Sequence, residues 1–350
     1  MHVRSWSYAV TAALALAACA EPATAPHAAT PASLAVNDVA LRRDRLATIE
    51  VEGRFPALYI GTADGKERVR VRFENVRDRI AGNYPAEYLP VRDETIFAMG
   101  PAKWSPDGQQ LAVVVTLGFD QSQVVVMNAD GRNMRTVSPN GQIILGDVDW
   151  SPDSRRIAYS MSTEPNARHV DLFVTDLVKD EVRRLTTKGL FSVWDEYRWD
   201  AAGAGVFFTE FEGWTDDGAN RLSRVNYVSL AGELTGTARQ IAGDPQGLAR
   251  DGSWAIVTRW PARDGGTARE LARVRVGGGE ETVLASGDLL YAELLEGDRE
   301  LVLVASDAAD PWSGVRQYRV FGAGAPDDVR ATLAVPASAS SMALLRAAAR

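Results

Sequence analysis

The chain has 350 residues and a formal net charge of −8, with 46 acidic residues against 38 lysines and arginines. Charges of both signs are scattered along it, which excludes the basic stripe of a nucleic-acid-binding protein. Its single cysteine excludes an internal disulfide, so in an oxidising compartment the fold would depend on core packing alone.

Residues 1–18 carry one early positive charge, Arg4, and then an apolar stretch that ends at Cys19. This pattern predicts a secretory signal peptide, because the stretch is too short for a transmembrane helix. The segment Leu16-Ala17-Ala18-Cys19 is similar to the bacterial lipobox, a resemblance that implies lipidation of Cys19. Because Ala20 rather than aspartate follows, it also implies an outer-membrane lipoprotein that faces the periplasm or the cell surface. An ordinary signal peptide with an incidental cysteine is the alternative.

Residues 19–35 are mostly Ala, Pro and Thr. Such a segment has hardly any large apolar side chain to bury, so the entropy cost of ordering it is not offset. We expect a flexible tether between the lipid and the folded domain.

Two similar hairpins mark the start of an internal repeat with a period of about 45 residues. In each, a tryptophan precedes a Pro-Asp turn that leads into an apolar β-run, and proline and aspartate favour such turns through a fixed φ and a local side-chain hydrogen bond. The two copies contain Trp104, Pro106, Asp107 and Gly108, and Trp150, Pro152 and Asp153. Looser copies begin at Trp199, Leu248 and Leu294. The spacing predicts an all-β propeller, with six four-stranded blades.

The run Trp-Ser-Pro-Asp-Gly, followed later by Met-Asn-Ala-Asp-Gly, resembles the TolB-like propeller repeat of bacterial envelope proteins. The resemblance covers residues 36–336 and leaves residues 337–350 as a C-terminal tail. The first unit departs from the pattern, because it lacks the tryptophan hairpin and carries an insertion from about Glu74 to Met99. For ring closure we expect either a strand at Leu34–Leu41 that completes the last blade, or a last blade completed by Val329–Val335.

The repeated residues are interpreted as scaffold. Trp104, Trp150 and Trp199 each occupy the same place in a unit, where a large ring would fill the gap between neighbouring blades. The aspartates of the turns would bond their own backbone.

Chain direction in a four-stranded meander places the repeat-defining turns at one end of each blade and the longer, irregular connections at the other. Function is expected at the second end, because loops held on a rigid scaffold commonly carry binding residues. Exposed aromatic rings there are candidates for a partner-binding face. They are Tyr84, Tyr88, Trp194, Trp214, Trp260 and Trp312.

The sequence offers little for catalysis. It has three histidines and no Gly-x-Ser-x-Gly or phosphate-binding glycine motif. No catalytic residue and no cofactor are therefore predicted. Asp147 and Asp149 are one residue apart on a predicted strand and share a face, which makes them the candidate metal ligands; solvation of the channel is the other interpretation.

These features favour a non-catalytic, lipid-anchored platform for protein interactions in the cell envelope. The resemblance implies an envelope protein or a cell-wall-associated partner. The alternative is a propeller that binds or cleaves glycans, in which loop tryptophans stack on sugar rings and carboxylates bond hydroxyl groups.

Overall fold

The computed structural model describes residues 44–53, 55–74, 76–78, 91–117, 121–139, 144–162, 170–187, 189, 196–261, 269–287, 289–295, 300–305, 316–322, 325–335 and 339–345. The predicted signal peptide, Cys19, the tether and the alternative closing strand Leu34–Leu41 lie outside these residues. Within them, no helix has the length and apolar character needed to cross a membrane.

The described strands form six sheets, five of four strands and one of five. Sheet 1 contains, in spatial order, β25 (Ala339–Leu345), β1 (Arg45–Glu52), β2 (Phe55–Thr62) and β3 (Arg68–Arg70). Sheet 2 contains β5 (Ala98–Trp104), β6 (Gln110–Thr116), β7 (Ser122–Asn128), β8 (Arg135–Thr136) and β4 (Arg77–Asp78). Sheet 3 contains β9 (Ile144–Trp150), β10 (Arg156–Ser162), β11 (Val170–Asp176) and β12 (Glu181–Arg184).

Sheet 4 contains β13 (Tyr197–Trp199), β14 (Gly205–Trp214), β15 (Arg221–Ser229) and β16 (Leu234–Ala242). Sheet 5 contains β17 (Asp244–Leu248), β18 (Trp254–Arg259), β19 (Arg269–Arg275) and β20 (Glu281–Gly287). Sheet 6 contains β21 (Leu289–Leu294), β22 (Glu300–Ala305), β23 (Arg316–Gly322) and β24 (Ala325–Val335). One 3-10 helix, η1 (Asp93–Thr95), precedes β5. Four successive antiparallel strands make sheets 3 to 6 meanders, as in a β-propeller blade, and the same arrangement joins β5 to β8 in sheet 2 and β1 to β3 in sheet 1.

Sheet 2 illustrates why these segments become strands. Its middle strands carry the valine runs 113–115 and 124–126, all of them buried. Such continuous runs of β-branched residues suit a strand that is covered on both faces. Val113 and Val125 pack into the core shared with sheet 1, whereas Val114 packs into the core shared with sheet 3. The main core thus lies between the sheets.

Each repeat tryptophan ends the first strand of its sheet and is buried. The indole N–H of Trp150 donates to the carbonyl oxygen of Lys103 in sheet 2 at 3.0 Å. The indole of Trp199 donates in the same way to Asp149 in sheet 3 at 3.2 Å. Each acceptor directly precedes the tryptophan of the previous sheet, so the rings join consecutive first strands.

The ring is closed by the C-terminal segment, so the prediction of a tail over residues 337–350 is wrong for β25. This strand pairs antiparallel with β1, with Ala343 opposite Ala47 and Leu344 opposite Leu46. The indole of Trp104 donates to the carbonyl oxygen of Ala343 at 3.1 Å. The series of indole hydrogen bonds between neighbouring sheets therefore extends from sheet 2 to sheet 1. Sheet 6 has its own fourth strand, β24.

The segment predicted as an insertion connects sheet 1 to sheet 2 and contributes to both. β4 adds a parallel fifth strand beside β8. The carboxylate of Asp93 accepts a hydrogen bond from the backbone N–H of Phe73 at 2.9 Å. Phe73, which directly precedes the segment, and Ile96 within it are both 1% exposed and belong to the core shared by sheets 1 and 2, so the segment contributes to that core.

Candidate functional site

The connections between strands define two ends of the molecule. At the turn face, tight turns join first to second and third to fourth strands, as at Ser105–Gln109 between β5 and β6. There Asp107 accepts hydrogen bonds from the Ser105 hydroxyl at 2.6 Å and from the Gln109 N–H at 2.9 Å. At the loop face, second strands connect to third strands. Trp214 ends β14 and Trp260 directly follows β18, the second strands of sheets 4 and 5, so both lie on the loop face.

Three aromatic side chains at or near the loop-face ends of these second strands form what we call the aromatic patch. Trp214 is 61% exposed, Trp260 45% and Phe211 44%. The rings of Phe211 and Trp214 meet edge to face, with centroids 5.9 Å apart. Large exposed rings are unfavourable in water unless they are covered by a ligand or partner.

The patch is held in place by polar contacts below it. The Asn220 amide donates to the carbonyl oxygen of Trp260 at 3.0 Å and accepts from the Trp260 N–H at 2.8 Å, so it ties the two loops together. The guanidinium of Arg221 lies 5.1 Å from the Phe211 ring centre, and that of Arg269 lies 5.9 Å from the Trp260 ring centre. These contacts fix backbone and rings together, which reduces the entropy lost on binding.

Sequence reasoning named Trp214 and Trp260 but missed Phe211. The alternating pattern of β14 suggests a buried strand, whereas a β-bulge between Phe211 and Gly213 shifts the register at its end. The other residues predicted for this face, Tyr84, Tyr88, Trp194 and Trp312, lie outside the described residues and stay predictions.

A second group of polar side chains lies where the first strands meet at the centre, and we call it the central cluster. It contains Lys103, Asp147, Asp149, Glu196 and Arg198. Lys103 pairs with Asp147 at 3.0 Å, and Arg198 pairs with Asp149 at 3.2 Å. Asp149 also accepts a hydrogen bond from the backbone N–H of Trp199 at 2.7 Å.

The candidate metal ligands Asp147 and Asp149 are therefore each paired with their own cation. Across the described residues, no group of three or more histidine, cysteine or carboxylate side chains is arranged to hold a metal ion. Through these ion pairs, Asp147 joins sheet 3 to sheet 2 and Asp149 joins sheet 3 to sheet 4.

Glu196 is the titratable member of the cluster. Burial raises the pKa of its carboxyl to about 7, against the opposing effect of the positive charge on Lys103. The negative charges of Asp147 and Asp149 raise this pKa further. The carboxyl of Glu196 therefore changes charge near neutral pH.

Comparison with known proteins supports the fold and its class. No protein-family model matches the chain, and no curated protein sequence matches it. The structure is a β-propeller and is similar to TolB from Acinetobacter baumannii, with a TM-score of 0.58 and 14% identity over 87% of this chain and 67% of that chain. The predicted all-β propeller class is thereby confirmed.

Two further solved structures are similar. The tricorn protease matches with a TM-score of 0.51 and 14% identity, over 86% of this chain and 30% of that one. A chain of the nidogen/laminin complex matches with a TM-score of 0.50 and 10% identity, over 86% of this chain and 98% of that one. At these identities the similarity shows the fold alone.

Proposed function

We propose that this protein is a non-catalytic, six-bladed propeller of the bacterial cell envelope, anchored by a lipid on Cys19, that binds a protein partner through its loop face. The observation that carries the proposal is the aromatic patch, which is exposed and fixed by the contacts between Asn220 and Trp260. Rigid, exposed aromatic rings are the side chains that most often dominate binding energy at protein interfaces. The TolB-like fold and the lipobox favour an envelope or cell-wall-associated protein as the partner.

The partner face is tested by co-purification from membranes after mild crosslinking. In a Trp214→Ala/Trp260→Ala double variant we expect capture of the partner to fall at least tenfold, on the order of the loss of one interface hot spot. The matched control is Val178→Ala, which removes a 72% exposed apolar side chain from the turn face. It should leave capture unchanged.

Thermal unfolding separates a binding effect from a folding effect. The double variant should unfold at nearly the wild-type temperature, because exposed rings contribute little to stability. Full capture by the double variant contradicts the proposal, and so does a markedly lower unfolding temperature. The purified protein is also tested on a glycan array. Binding there that is abolished in the double variant would show that the loop face binds a glycan rather than a protein.

The lipid anchor has a separate test. The wild-type protein should incorporate labelled fatty acid and enter the detergent phase of membrane extracts, whereas a Cys19→Ser variant should do neither. Equal solubility of the two proteins would contradict the anchor without affecting the loop face.

A further inference from the structure

A small cavity of about 70 Å³ opens at the turn-face end of sheet 5, at the opposite end of the strands from the aromatic patch. Since one water occupies about 30 Å³ in the liquid, this space holds a group of a few heavy atoms. The side chains around it are mostly polar. They belong to Ser253, Trp254, Arg273, Arg275, Glu280 and Thr282.

Strand register brings these side chains to one side of the sheet. Arg273 and Arg275 are two residues apart on β19, so they point to the same side. Trp254 is paired with Arg275 on one neighbouring strand, and Thr282 is paired with Arg273 on the other. Pairing of residues across antiparallel strands places both neighbours on the side of the arginines.

Arg273 is held by stacking rather than by an acid. Its guanidinium carbon lies 4.5 Å from the ring centre of Trp254. Its Nε is buried and donates no hydrogen bond within the described part of the chain. Arg259 on β18 pairs with Glu270 at 3.4 Å and with Glu281 at 2.7 Å, whereas the described residues provide no such ion pair for Arg273 or Arg275.

We propose that this cavity is a binding site for a phosphate dianion. Two guanidinium groups match its double charge, and stacking on Trp254 uses the face of the Arg273 guanidinium, which leaves its N–H groups for hydrogen bonds to an anion. The Thr282 hydroxyl adds a donor. The Ser253 hydroxyl donates to Asp251 at 2.7 Å, so it shapes the wall rather than binding the anion. Glu280 is exposed, and solvent screens its repulsion of the anion.

Calorimetric titration of the purified protein with inorganic phosphate at pH 7.5 and low salt tests the site. Arg275→Gln should weaken binding at least tenfold, and Arg273→Gln should do the same. Arg275 is exposed, so its variant should fold normally. Glu280→Gln should tighten binding two- to threefold, because it removes the negative charge of the acidic residue that lines the cavity. Arg155→Gln, which removes an exposed positive charge from the turn between β9 and β10, is the control and should change nothing.

The phosphate can belong to a soluble compound or to a lipid headgroup, and short-chain lipids distinguish the two. Dihexanoyl phosphatidic acid that binds as tightly as inorganic phosphate, with the same loss in Arg275→Gln, assigns a headgroup. Exclusion of this lipid while phosphate binds assigns a soluble phosphate compound. The proposal is overturned if phosphate does not saturate the protein below about 10 mM, if Arg155→Gln weakens binding equally, or if succinate binds as tightly as phosphate.

Discussion

Closure of the ring by β25 makes a strong prediction about two residues near the C-terminus. Leu344 is 6% exposed and paired with Leu46, and its truncation in Leu344→Ala should lower the free energy of unfolding by about 2–5 kcal/mol, as for a buried leucine. A domain of ordinary stability has about 5–15 kcal/mol in total. Ala343→Asp should be more damaging, because Ala343 is 2% exposed and a carboxylate there would be buried beside Ala47.

Urea unfolding of the purified protein, followed by tryptophan fluorescence, measures both effects. The matched control is a chain that ends at Leu345, which keeps β25 whole and should unfold at the wild-type urea concentration. If residues 337–350 were a frayed tail, Leu344→Ala would change stability by less than about 0.5 kcal/mol. A change below about 1 kcal/mol would therefore refute closure by β25.

Three further predictions concern stability. Trp150→Ala should lower the free energy of unfolding by about 3–5 kcal/mol in the same urea assay. A change below about 1 kcal/mol would contradict the burial of this ring in the core. Because the pKa of Glu196 is raised to about 7 on folding, protonation favours the folded state, and wild-type stability should fall by up to about 3 kcal/mol as pH rises from 4.5 to 8. Glu196→Gln should remove that part of the pH dependence, and identical pH profiles would contradict the assignment. Gly252→Ala should be more destabilising than Gly65→Ala by about 1–3 kcal/mol, since both have positive φ but only at Gly252 would a Cβ lie 2.5 Å from the Phe207 ring; equal unfolding midpoints would argue against this contact.

The strands with strong local signals were predictable, and the closing strand was not. The Pro-Asp turns act within a few residues, so Asp107 and its partners can be recognised from the sequence. β25 consists of small residues, one methionine and two leucines, and has no β-branched or aromatic residue that would favour a strand. It becomes a strand through partners far away in sequence: β1 at the other end of the described chain and Trp104, 239 residues from Ala343. Local patterns carry no information about such pairing.

The candidate sites also differ in how far the sequence predicts them. Topology alone placed Trp214 and Trp260 at one end of their blades, because strand direction determines which connections share a face. The arginine cavity was missed, since the alternating Arg-Val-Arg at the end of β19 is typical of a strand with one solvated face. Only the packing of Trp254 against Arg273 distinguishes a binding cavity from ordinary surface charge.

The departures from the repeat in sheet 5 have a common physical explanation. Leu248 stands where sheets 2, 3 and 4 have tryptophan, so its side chain cannot donate a hydrogen bond to sheet 4. Arg250 takes the place of the turn proline and donates instead to the carbonyl oxygens of Trp199 at 3.3 Å and Trp150 at 3.4 Å. One planar guanidinium thereby joins sheets 3, 4 and 5, which a lysine could not do with the same fixed geometry. In a chain whose single cysteine excludes an internal disulfide, such buried hydrogen bonds supply non-covalent cross-links between neighbouring sheets.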